Sequence, residues 1–283
     1  MKTSSNAETQ FAEINGNKIA YRTFGNGTPL FFINRFRGII DTWDPLFVDA
    51  LAEKNTVILF DYPGIGSSEG ELPLDVLEVA KTVPALADYL EIDKFNVLGW
   101  SYGGLVTQSV TFQNPHRVLK TVLIGTNPPG VNEIPIEPVF FEHALKSEND
   151  LEDEYYLFFE PSSEKSRQAA RESHDRIAER LDKSLIPSTP ELFQRYFAGS
   201  TPFKEDKLNF RNGYRTLKTA VLIISGDHDI SFATENWFPL LKNAPAMQHI
   251  IMNDAGHGPH HQYPELASGY INHFLKQSIV LMH

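Results

Sequence analysis

Five short apolar runs punctuate this chain, at residues 30–33, 57–60, 95–98, 118–124 and 220–224. They are rich in branched and aromatic side chains, and polar residues do not alternate through most of them. That pattern suits strands buried on both faces rather than amphipathic ribbons. Between them lie longer mixed segments with helical spacing, notably 73–90 and 104–114, long enough for crossover helices. The alternation predicts an α/β fold: a mostly parallel central sheet flanked by helices. Asn15-Gly16, set between apolar-rich stretches at 11–14 and 18–22, predicts an N-terminal β-hairpin.

The rhythm breaks after Ile124. Thr126-Asn127-Pro128-Pro129-Gly130 reads as a linker, and Pro135 and Pro138 follow soon after. From 131 to 212 the pattern is helical and strand-free, with its clearest helix at 164–181. The expectation is therefore a core made of 1–130 and 213–283, with 131–212 inserted as a helical cap. A last amphipathic segment, Pro264–Lys276, predicts a C-terminal helix.

Composition narrows the function. The 283 residues carry a formal net charge of −11, which argues against nucleic acid and anionic membrane surfaces as partners. There is no cysteine, so disulfides, thiol catalysis and cysteine-bound zinc are excluded. Residues 1–10 are polar, without the apolar segment of a signal peptide, and no apolar run approaches the ~20 residues of a membrane helix. The expectation is a soluble, cytoplasmic monomer or homodimer.

The chemistry concentrates at Gly99-Trp100-Ser101-Tyr102-Gly103, which joins a predicted strand to a predicted helix. A serine at such a turn is lifted clear of the sheet, and the flanking glycines let strand and helix approach closely. A serine hydroxyl needs a base, and the base needs an orienting acid. Ala255-Gly256-His257-Gly258 offers His257 in a loop before the last helix. Ser225-Gly226-Asp227-His228-Asp229 offers an acid directly after a strand, and chain order alone does not choose between Asp227 and Asp229. Trp100, beside the serine, is expected in both core and pocket wall. His260 and His261 follow the candidate base closely; a catalytic His257 with two histidines near a helix start explains the cluster without a metal. His174 lies near the apolar stripe of the 164–181 helix, where it packs or touches substrate.

These pieces, taken in order, resemble the α/β-hydrolase superfamily, its capped serine hydrolases in particular. The resemblance covers nearly the whole chain outside the cap. It includes Asp61-Tyr62-Pro63-Gly64-Ile65-Gly66-Ser67-Ser68, the elbow, Asn114-Pro115-His116-Arg117-Val118, Gly226 with Asp229, and Gly256-His257 followed by Pro264-Glu265. It selects Asp229 as the acid and implies that the N–H groups of Phe36 and Tyr102 form the oxyanion hole. One stretch departs from the pattern: Asn34-Arg35-Phe36-Arg37-Gly38 stands where the family usually reads His-Gly. Arg35 and Arg37 either bind an anionic substrate group or pair with Asp41 or Asp44. In the cap, the aromatic stretch 155–159 is expected to pack onto the core, with Tyr156 and Phe159 as candidate substrate contacts.

The resemblance implies a serine hydrolase acting on a small ester, thioester or lactone through an acyl-enzyme, with Ser101, His257 and Asp229 as triad and no cofactor or metal. Hydrolysis of a C–C bond or amide, or perhydrolysis, would use the same residues. A slow-turnover receptor would use the same pocket. A small acyl molecule is the expected partner.

Overall fold

The computed structural model describes residues 2–277. Among the described residues, eight strands form one sheet: β1 (Gln10–Ile14), β2 (Asn17–Gly25), β3 (Thr28–Ile33), β4 (Asn55–Phe60), β5 (Phe95–Trp100), β6 (Val118–Ile124), β7 (Ala220–Gly226) and β8 (Met247–Met252). Their spatial order is β1-β2-β4-β3-β5-β6-β7-β8. β1 and β2 form the expected hairpin, turning at Asn15 and Gly16, both at positive φ as a two-residue turn of matching twist requires. β2 is also antiparallel to β4, and every later pairing is parallel. The fold is thus the mostly parallel α/β arrangement. β8 is not among the strands that the apolar runs predict, because it is an edge strand: Gln248 and His249 interrupt its apolar run, and only Met252 is fully buried.

Twelve helices accompany these strands among the described residues. They are α1 (Pro45–Ala52), α2 (Val76–Val79), α3 (Thr82–Tyr89), α4 (Tyr102–Gln113), α5 (Pro138–Ala144), α6 (Leu151–Phe158), α7 (Glu164–Ala178), α8 (Pro190–Glu205), α9 (Phe210–Gly213), α10 (Phe238–Leu241), α11 (Pro259–Gln262) and α12 (Pro264–Lys276). The single helix expected over 73–90 is instead α2 and α3. Pro84 has no N–H to offer Ala80, so the backbone breaks at Ala80 and Lys81.

Alternation along the strands sorts side chains onto two faces. Phe31, Ile58 and Val97 pack with Val83, Leu86, Val106 and Val110 of α3 and α4. Leu30, Phe32, Val57, Leu59, Leu98 and Val122 pack with Phe47 and Leu51 of α1 and with Ile271 and Phe274 of α12. Each fully buried side chain of this size contributes about 1.5–3 kcal/mol relative to exposure, so the two layers hold the sheet rigid beneath the site.

Two features of the topology position that site. The chain leaves β3 to form β4 on one side and later returns to form β5 on the other, so the strand order reverses between β3 and β5. The loops leaving the carboxyl ends of β3 and β5 face each other there, which is where α/β sheets gather ligands. Helices α5 to α9 all lie between β6 and β7 in the chain, with α8 packed on α2 and α4, and α7 packed on α11.

Candidate active site

Ser101 stands between β5 and α4 at φ 60° and ψ −124°, a conformation that non-glycine residues adopt only where the surroundings enforce it. The enforcement is visible. Ser101 N–H donates to Ile124 O of the neighbouring strand at 2.9 Å, and Gly104 N–H donates to Ser101 O at 2.8 Å. A Cβ on Gly99 would stand 2.0 Å from Thr107 Oγ1, and one on Gly103 would stand 2.0 Å from Ile33 O. Both positions demand glycine, so the G-x-S-x-G spacing is a packing requirement of the turn.

His257 and Asp229 meet at the adjoining strand ends, both buried, with His257 Nδ1 2.8 Å from Asp229 Oδ2. Asp229 Oδ1 accepts the N–H groups of Ser231 (2.8 Å) and Phe232 (2.9 Å). With its carboxylate held on both oxygens, Asp229 fixes the ring through Nδ1 and leaves Nε2 as the ring's acceptor. Asp227 is engaged elsewhere: its Oδ1 accepts Ala255 N–H at 3.1 Å and lies 2.7 Å from His228 Nδ1. The His257 loop rests against the end of β6, since a Cβ on Gly125 would stand 3.0 Å from His257 Nδ1. The strand end that accepts the Ser101 N–H therefore also carries the histidine loop.

The loop after β3 is braced from three directions. Asn34 Nδ2 donates to Phe60 O at 2.8 Å, and Trp43 Nε1 donates to Asn34 Oδ1 at 2.7 Å. Asp61 accepts Ile40 N–H (2.8 Å) and Ser67 N–H (3.0 Å), while burial raises its carboxyl to about 7. Arg37, at φ 59°, donates to the carbonyls of Pro187, Ala144, Lys146 and Ser147 and to Asn149 Oδ1, at 2.7–3.0 Å. It clamps this loop to the segment between β6 and β7. Tyr102 opens α4, so its N–H has no intrahelical acceptor.

Neither arginine of this loop pairs with Asp41 or Asp44. Asp41 is held by Arg22 and Arg180, and Asp44 by Arg176 at 2.7 Å. Arg35 instead lies over the rings of Phe158 (4.5 Å) and Trp100 (5.2 Å) and donates to Phe36 O at 2.7 Å.

Ser101, Phe36 and Tyr102 line one cavity of about 360 Å³, closed by Leu105, Phe140 and Phe232 and by Tyr196 and Phe197 of α8. The other substrate contacts expected from the sequence lie outside it. Trp100 is fully buried in the core, donating Nε1–H to His257 O at 2.9 Å, because its indole fills the space between the sheet and α11. Tyr156 is stacked on His143 at 4.3 Å and does not line the cavity. Phe159 is buried against Gly256 and lines a second cavity, of about 310 Å³, together with Arg35. The wall residues that the sequence pattern did not single out carry a legible signal: Tyr196, Phe197, Ser200 and Phe203 recur at helical spacing along α8.

The remaining histidines are structural neighbours of the site. His260 lies 4.5 Å from Trp100 and 4.9 Å from Phe47, and burial holds its pKa well below 6.5. His261 is lowered to about 4 by burial; its Nε2 accepts Asp44 N–H at 3.4 Å. His174 pairs with Glu154 at 3.0 Å, a hydrogen bond that raises its pKa above 6.5.

Residues 28–264 match the α/β hydrolase fold family over its sequence profile. The chain belongs to that family. A helical segment is inserted between β6 and β7. An α/β hydrolase fold protein from Chitinophaga pinensis superposes with a TM-score of 0.88 at 28% identity, covering 98% of this chain and 100% of that one. The pimeloyl-[acyl-carrier protein] methyl ester esterase of Nitrosomonas europaea is 25% identical over 260 residues, 87% of this chain and 95% of that protein. The biotin biosynthesis bifunctional protein of Teredinibacter turnerae is 24% identical over 244 residues, 82% of this chain and 41% of that protein. The chain spans about a third to two-fifths of the length of several curated relatives it matches. No helix among the described residues of this α/β hydrolase is long and apolar enough to cross a membrane.

Proposed function

We propose that the protein is a serine hydrolase that cleaves a small carboxylic ester, thioester or lactone through an acyl-enzyme on Ser101. Ser101 Oγ attacks the carbonyl carbon while His257 Nε2 takes its proton. Asp229 holds the imidazole in the required tautomer and stabilises the cation that forms. The N–H groups of Phe36 and Tyr102 receive the oxyanion. His257 then returns the proton to the departing oxygen or sulfur as the intermediate collapses. A water molecule attacks the acyl-enzyme with His257 as base, and the second collapse frees the acid and restores Ser101. Water is the only co-reactant.

One observation carries this reading: a serine strained to φ 60° at a strand–helix turn and a buried His257–Asp229 pair at 2.8 Å are both anchored on the end of β6, through Ile124 O and Gly125. The apolar walls of the Ser101 cavity suit an acyl chain. The methyl ester esterase relative supports ester chemistry. Residues 131–212 act as the cap, excluding water and choosing substrates.

A panel of 4-nitrophenyl esters, acyl thioesters and lactones tests the assignment. Turnover of at least one class should fall by about 10³ or more in Ser101→Ala and in His257→Ala. Turnover at wild-type rates in both variants would overturn it.

A further inference from the structure

The cavity next to the Ser101 compartment holds a cation without a counter-ion. It lies between the loop after β3 and helices α6 and α7, with a volume of about 310 Å³, and includes Arg35, Phe158, Phe159, His174, Ile177 and Leu181 in its walls. Arg35 donates Nη1–H to Phe36 O, and its Nε–H is buried with no acceptor. Among the described residues it forms no ion pair, whereas Arg22, Arg37, Arg176 and Arg180 are each held by carboxylates or several carbonyls. Arg35 is half-buried, and a guanidinium N–H withdrawn from water without an acceptor is costly. Burial and the nearby Arg37 accordingly lower its pKa to about 10.

No carboxylate of this cavity forms an ion pair with that cation, and the nearby charge of Glu154 offsets it only in part. Glu154 is hydrogen-bonded to His174, at 3.0 and 3.1 Å, and Glu148 is exposed. The aromatic faces of Trp100 and Phe158 hold the guanidinium in place but supply no acceptor for its N–H groups.

We propose that Arg35 binds a carboxylate in this second cavity. A planar monoanion matches one unpaired guanidinium fork, and a phosphate dianion would place excess charge beside Glu154. The flanking Phe158, Phe159, Ile177 and Leu181 take the apolar body of the ligand. At roughly 30 Å³ per water-sized unit, the space admits about ten non-hydrogen atoms. Because Arg35 directly precedes Phe36, a bound carboxylate would also order the loop that supplies the proposed oxyanion donor. The carboxylate is either part of the substrate, in which case the inference rests on the Ser101 hydrolase reading, or part of a separate small acid.

Benzoate and benzamide, nearly equal in size, provide the test on Ser101→Ala protein, where turnover plays no part. At constant ionic strength, benzoate should raise Tm and give a calorimetric binding isotherm, and benzamide should do neither. Arg35→Gln should weaken benzoate binding ten- to a hundredfold, the range of a lost charge-assisted hydrogen bond, and Arg35→Lys should fall between. Equal behaviour of benzoate and benzamide, or unchanged benzoate affinity in folded Arg35→Gln, overturns the proposal. If Arg35→Gln does not fold, the benzoate–benzamide comparison and Arg35→Lys decide. Two esters separate the sources in otherwise wild-type protein: mono-4-nitrophenyl glutarate and 4-nitrophenyl valerate. A rise in KM confined to the charged ester in the Arg35 variants assigns the carboxylate to the substrate. Equal responses of both esters in the Arg35 variants, with benzoate binding weakened in those variants, assign it to a separate acid. Inertness of both esters with benzoate bound would leave the Arg35 site standing and fail the Ser101 reading alone.

Discussion

His257 Nδ1 lies 2.8 Å from Asp229 Oδ2, while Asp227, two residues earlier in the same loop, is occupied by Ala255 N–H and His228. The two acids therefore make opposite predictions. Asp229→Asn should lower kcat by about 10⁴ by favouring the wrong imidazole tautomer, with little loss of Tm. Asp227→Asn should keep kcat within about tenfold and lower Tm, since it loosens the turn beside Ala255. Steady-state kinetics and calorimetry on both variants check this; collapse of kcat in Asp227→Asn with near-normal Asp229→Asn reverses the roles.

Stability should fall on acidification because of two buried histidines, His260 and His261, and the half-buried His249. His249 and His261 are lowered to about 4, and His260 well below 6.5, chiefly by burial. As pH falls from about 6.5, the unfolded chain takes up protons that the folded protein refuses, so unfolding becomes easier down to about pH 4. Each histidine contributes a slope of roughly 1.4 kcal/mol per pH unit. His174 acts in the other window. Raised by Glu154, its contribution is full below 6.5 and is lost as pH rises through its folded pKa. Urea denaturation at several pH values should show the acid slope reduced in His261→Gln. An unchanged slope would contradict the burial argument.

Arg37→Ala should be among the more damaging changes outside the Ser101 cavity. It removes five hydrogen bonds between the loop after β3 and the 144–187 segment, leaving the buried carbonyls of Ala144 and Pro187 unpaired. The expected cost is about 3 kcal/mol, with at least a tenfold loss of kcat as Phe36 is released. Arg37→Lys should recover little, because one ammonium cannot reach the same fan of acceptors. Tm and kcat near wild type would show that the clamp is dispensable.

How much of the molecule is legible in the chain differs by residue. The Ser101 turn is readable because its glycines sit at fixed spacing around the serine, even though the atom that demands Gly103, Ile33 O, belongs to a strand far back in the chain. The strands of the sheet interior are readable because both faces are buried. β8 is not, since an edge strand tolerates Gln248 and His249. The pairing of Asp229 with His257 requires chain order plus family resemblance, as the loop holds two acids. The cap is the least legible part. Tyr156 and Phe159 look alike in sequence, yet one stacks on His143 and the other packs against the His257 loop. The partners of Arg37 lie more than a hundred residues away, where no local pattern announces them.

Substrate choice should follow the residues that line the Ser101 cavity. Phe140→Ala and Phe197→Ala enlarge it and should shift kcat/KM toward longer or branched acyl chains. Tyr156→Ala, outside that cavity, should leave the preference order unchanged. A reordered preference in Tyr156→Ala, with none in the other two, would move the acyl site elsewhere.

The central claim is that Ser101 is the covalent nucleophile. Incubation with a fluorophosphonate probe followed by peptide mass spectrometry measures it directly. The account predicts one phosphonyl adduct on the peptide containing Ser101, absent from Ser101→Ala and strongly slowed in His257→Ala. Equal labelling of wild type and Ser101→Ala, or an adduct mapped to another serine, would contradict it.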